Sequence, residues 1–207
     1  MRNTKEQILL TALELFAREG FDAVSVRDIA AALGLSKGAL YRHYQSKREI
    51  FESILRRMER RDAQQARDRD LPEETAEQTP AAYQGASLDD IAAFSKDMFR
   101  YWTEDPFASR FRRLLTLEQC RNAEMGALYQ QYLAAGPLEY LRDLFSAQGL
   151  ARPQEEAVLF YGQMFLLYSV YDGSENRQAA TELADRLIDG LRDRLQRLQY
   201  VERRKEP

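Results

Sequence analysis

Between Ser25 and Lys47 (SVRDIAAALGLSKGALYRHYQSK) the chain gathers side chains suited to contact with a polyanion. Lys37, Tyr41, Arg42 and His43 follow one another with no carboxylate among them. Lysine and arginine can donate to guanine O6 and N7, while tyrosine, histidine and serine donate to phosphate oxygens. Over Ser25–Arg48 the bases are Arg27, Lys37, Arg42, Lys47 and Arg48, against Asp28 alone. Catalytic chemistry has no comparable set. His43 is the only histidine, and no nucleophile or metal-ligand spacing accompanies it. Cys120 is the only cysteine and has no CxxC partner. The expectation is a binding protein rather than an enzyme, with no cofactor and no metal.

Such side chains need a short helix to present them and a second to brace it. Val26, Ile29, Ala30 and Leu33 give the brace a buried face, with Ser25 and Asp28 as its start signal. Gly34–Leu35 is the turn, and Ser36–Tyr44 is the reader, capped by Ser36. Leu40 and Tyr44, four apart, pack inward, while Lys37 and Tyr41 share another face with Gly38 and Arg42 beside them. A glycine within a helix is costly. At Gly38 it serves either close approach to DNA or close packing against the first helix. That first helix starts at the capping box Thr4–Gln7, carries the stripe Ile8, Leu9, Ala12, Leu13, Phe16 and Ala17, and stops at Gly20. A fourth, opened by Ser46 and Glu49, carries Ile50, Phe51, Ile54, Leu55 and Met58.

This order of residues resembles the TetR family of bacterial transcriptional regulators. The resemblance is carried by Ile8-Leu9, Ala12-Leu13, Leu15-Phe16, Gly20, Ser25 to Ala30, Leu33 to Tyr41, His43-Tyr44, Ser46-Lys47 and Ile50-Phe51. Tyr44 stands where phenylalanine is more usual. The match covers about the first sixty residues; the remainder is similar only in being helical. It implies DNA contacts at Ser25, Arg27, Ser36, Lys37, Gly38, Ala39, Tyr41, Arg42, His43 and Lys47. Lys37 would read a base edge and Ala39 touch a thymine methyl. Tyr41, His43 and Lys47 would bind phosphate, Lys47 aided by a helix N-terminus. The implied partners are double-stranded DNA with a palindromic operator, and a small effector held in the C-terminal part. The fold class is all-α: a three-helix helix-turn-helix domain over 1–47, then a helical effector-binding and dimerisation domain over 48–207.

The rest of the 207 residues supports that division. Met1–Arg60 holds 11 basic against 8 acidic residues, and the remainder 19 against 25, within a net charge of −3. A basic head on an acidic body suits contact with a polyanion at one end. No signal peptide or membrane-length apolar run is seen, so a cytoplasmic location is expected. Leu71–Ala86, with Pro72 and Pro80, reads as a mobile loop between helices. Helical periodicity resumes at Ser87, with a new start at Asp105–Pro106, and segments follow over Phe111–Cys120, Glu124–Ala135 and Pro137–Gln148. Glu155–Tyr171 is apolar around most of its circumference and must be covered on both sides. With Thr181–Leu198 it is assigned to a homodimer interface through Tyr161, Phe165, Tyr168, Leu183, Leu187, Leu191 and Leu195. Phe94, Met98, Tyr101, Trp102, Phe111, Cys120, Tyr129, Met164, Phe165 and Tyr168 form the search area for an apolar or aromatic effector. Phe107 and Tyr132 extend it.

Overall fold

The computed structural model describes residues 4–67 and 85–204, and every element among them is helical. In chain order these are α1 (Thr4–Glu19), α2 (Val26–Ala32), α3 (Lys37–Tyr41), α4 (Lys47–Arg67) and α5 (Leu88–Glu104). Then follow α6 (Pro106–Glu118), α7 (Ala123–Leu133), α8 (Ala135–Ala147), α9 (Pro153–Gly173) and α10 (Arg177–Arg203). The expected loop over 71–86 falls, up to residue 84, outside the described residues. Among the described residues no helix is long and apolar enough to cross a membrane.

The chain divides into two compact units. Unit 1 comprises Met1–Gln64 together with Pro106–Tyr129; unit 2 comprises Gln65–Asp105 and Gln130–Pro207. The head therefore keeps most of α4 and borrows α6 and the start of α7. The reason is apolar area. The stripe of α1 (Ile8, Leu13 and Phe16, all fully buried) packs along α6, whose Phe111, Leu114 and Leu115 are equally buried. Ile29, Leu40, Tyr44, Ile50, Phe51 and Ile54 complete this core. Each such side chain taken out of water contributes about 1.5–3 kcal/mol, which three short helices alone could not gather.

In unit 2, α9 packs against α8, α10 and α5, and α10 lies along α5. Ser87 and Asp90 form the expected capping box of α5. Asp105 is extended because Pro106 disfavours helical backbone before it. Ion pairs edge the α5–α10 seam: Lys96 with Asp189 at 2.7 Å and Arg100 with Asp185 at 2.5 Å. Glu156 is buried and bonded by the Arg194 guanidinium.

Candidate nucleic-acid interface

The reading motif is built from caps outward. Ser25 caps α2: its Oγ accepts the Asp28 N–H, while the Asp28 carboxylate accepts from the Ser25 N–H at 2.8 Å and from its hydroxyl at 2.6 Å. Those bonds hold the Asp28 carboxyl below its ordinary range. The helix ends at Gly34, φ +64°, where Leu35 N–H donates to Ala30 O and Gly34 N–H to Ala31 O. Only a residue without Cβ closes such an end without strain. Ser36 then caps α3 by accepting the Ala39 N–H at 3.1 Å. Thus α2 and α3 are joined by the expected glycine turn.

The reader is shorter than expected. The helix spans Lys37–Tyr41 and not Ser36–Tyr44, because the backbone turns after Arg42 to carry Tyr44 into the core. Tyr44 is 1% exposed, its hydroxyl donates to Lys5 O at 3.4 Å, and burial pushes its phenol pKa up. Ser46 caps α4 by accepting the Glu49 N–H at 3.0 Å; Glu49 in turn accepts from the Gln45 N–H rather than from Ser46's own.

The outer face of α3 carries Lys37 and Arg42, both exposed, and Tyr41, 40% exposed. The Lys37 ammonium sits 5.5 Å from the centre of the Tyr41 ring, a cation–π pair at i, i+4 that aims both side chains outward together. A Cβ added at Gly38 would meet nothing within 4 Å. That removes the packing explanation of this glycine, since no neighbour approaches it. Arg27 is exposed, and Ala39 and His43 are half-buried on the same motif. Ser25 and Ser36 are exposed with their side chains engaged as caps. Lys47 is placed differently from the rest: its ammonium donates to Phe21 O at 2.6 Å and to Asp22 O at 3.3 Å, and lies 4.4 Å above the Phe21 ring.

The other sequence-derived sets are placed unevenly. Of the effector search area, Phe111, Cys120 and Tyr129 belong to unit 1, as does Phe107, and Cys120 is exposed. In unit 2, Trp102 meets Tyr101 and Tyr132 edge-on, and Tyr168 stacks on Phe99 at 5.5 Å with Tyr171 against the same ring. Phe99 and Tyr171 lie outside the expected effector set, because an aromatic on a core stripe carries no separate signal. Met164 is buried, Phe94 and Met98 half-buried, and Phe165 exposed. Of the dimer set, Tyr161, Tyr168 and Leu195 are buried within the chain, Leu187 and Leu191 are half-buried, and Phe165 and Leu183 are exposed. The exposed apolar stripe of α9 runs Val158, Leu159, Phe165, Leu166 and Val170, 42–64% exposed.

Comparison with known proteins places this motif. The sequence model described as "Bacterial regulatory proteins, tetR family" matches residues 8–54. The chain is 43% identical over 53 residues to the uncharacterized HTH-type transcriptional regulator YerO of Bacillus subtilis, covering 26% of this chain and 18% of that one. It is 40% identical over 52 residues to the HTH-type transcriptional repressor KstR2 of Mycolicibacterium smegmatis, covering 25% of each. The matched segment thus spans a quarter or less of these curated relatives. A solved SmeT–triclosan complex has the same fold, with a TM-score of 0.60 at 19% identity over 91% of this chain and 89% of that one. Over its residues 8–54, the helix-turn-helix just described, the chain is similar to the tetR family of bacterial regulatory proteins.

Proposed function

We propose that the protein is a sequence-specific DNA-binding transcriptional regulator, acting as a repressor on a palindromic operator. The observation carrying this is the outer face of α3, where Lys37, Tyr41 and Arg42 flank the unobstructed backbone of Gly38. Open space at Gly38 lets the helix backbone approach the groove wall, and the aimed lysine then reaches a base edge. Arg27, Arg42, Tyr41 and His43 supply phosphate contacts, Ala39 a methyl contact, and the cap hydroxyls of Ser25 and Ser36 stand beside them.

One short reader covers few base pairs, so a two-fold copy is needed for a palindrome. The exposed stripe of α9, with Leu183 of α10, is the proposed homodimer seam. Release by a small apolar or aromatic effector is proposed for the ring cluster of unit 2 around Trp102 and Tyr168; the triclosan in the SmeT complex supports a ligand of this kind.

The test is selection of duplexes from a random pool with the full chain, followed by affinities at several salt concentrations. Lys37→Ala is expected to reduce discrimination at one base pair per half-site, by about 1–3 kcal/mol. Arg42→Ala is expected to weaken all sequences alike and to lower the salt slope by about 0.9 per subunit. Discrimination unchanged in Lys37→Ala would remove the base-reading role.

A further inference from the structure

The turn between α1 and α2 is held from two sides by residues far apart in sequence. From one side, Glu118 at the end of α6, 3% exposed, accepts the Phe21 N–H at 2.8 Å. Its Oε1 lies 2.5 Å from where a Cβ at Gly20 would be, so the turn and the carboxylate are fitted to each other. From the other side, the Lys47 ammonium at the start of α4 donates to the carbonyls of Phe21 and Asp22. The Phe21 ring is wedged against Phe16 and Phe51, at 5.1 and 5.2 Å, beneath that ammonium. Three residues further on, Ser25 caps α2, and α3 leans on α2. The turn therefore sets where the reading motif begins.

Resting on the DNA-binding reading above, we infer that Lys47 and Glu118 are positioning residues for DNA binding, acting through the Gly20–Asp22 turn. Lys47 is a charge-assisted donor already committed to two carbonyls, and moving it to a phosphate would leave both without that partner. Glu118 is buried and accepts from the Phe21 N–H, so its effect on the operator runs through the turn rather than through a contact with DNA. The pair act on one element and their effects are coupled, whereas a phosphate contact by Lys47 would be independent of a carboxylate under the turn.

A double-mutant cycle on DNA affinity tests this, using the full chain and a palindromic duplex selected with the wild type. Lys47→Met keeps the stem over the Phe21 ring and removes the donors; Glu118→Ala removes the acceptor. Each is expected to weaken binding about tenfold, and the double variant by no more than the weaker single, since both loosen the same turn. Glu118→Gln keeps an oxygen for the Phe21 N–H and is expected to bind within about threefold of the wild type. Amide exchange at Phe21 is expected to quicken in Glu118→Ala in the absence of DNA. Multiplicative losses near a hundredfold in the double variant, or an unchanged Phe21 exchange rate, would overturn the inference. A wild-type chain that enriches no duplex would overturn the DNA-binding reading itself, and this inference with it.

Discussion

Gly38 sets two demands against each other at a single position. Within a helix a glycine costs about 1 kcal/mol relative to alanine, and here no neighbour would collide with a methyl group. Gly38→Ala is therefore expected to raise the stability of the free protein by about 0.5–1 kcal/mol and yet to weaken DNA binding. A chemical melt and a binding titration on the same preparation check both halves; a variant that gains stability and binds unchanged would show that the backbone does not approach the groove. Lys37, Tyr41 and Arg42 were legible in sequence because exposure follows from their type and from the inward spacing of Leu40 and Tyr44. The commitment of Lys47 was not legible. Its partners are backbone carbonyls, which look alike in every sequence, and they lie some 25 residues away.

At the scale of elements, starts and stops were the most readable features. Ser25, Ser36, Ser46 and Ser87 all cap helices, and Gly34 takes the left-handed turn, because these roles depend on a residue and its near neighbours. The early end of α3 was missed, since it is imposed by the core drawing in Tyr44. The caps also carry a pH consequence. Asp28 and Asp90 have pKa values lowered from 3.8 by their capping serines, and Glu124 is lowered by its bond from Arg48. A carboxyl whose folded pKa lies below its unfolded one stabilises the fold while ionised, fully above the unfolded value, and loses that contribution as pH falls through the folded one. Urea midpoints are therefore expected to fall between about pH 5 and about pH 3. In Asp28→Asn/Asp90→Asn that fall should be shallower; an equal fall would assign the acid sensitivity elsewhere. Ser25→Ala, which removes one cap at any pH, is expected to cost about 0.5–2 kcal/mol.

For the molecule as a whole, the exposed stripe of α9 makes the proposed seam testable without harm to the core. Leu159 and Leu166 are 49% and 64% exposed, so Leu159→Lys/Leu166→Lys removes little intrachain packing. The double variant is expected to sediment as a monomer at micromolar concentration with its melting temperature close to that of a wild-type monomer, and to bind a palindrome more weakly than the wild type. A variant that remains dimeric would place the seam elsewhere. The all-apolar character of this helix was evident from its composition. Which of its sides faces inward was not, because Tyr161 and Phe165 look equivalent until α8 and α10 cover one of them. The makeup of unit 1 has a further consequence, for recombination between relatives. A crossover at residue 47 would part the Phe21 N–H from the Glu118 carboxylate fitted to it here. Unit 1 is discontinuous in sequence, residues 1–64 with 106–129, so exchanging it whole between related chains takes three crossovers, at 64/65, 105/106 and 129/130, rather than one.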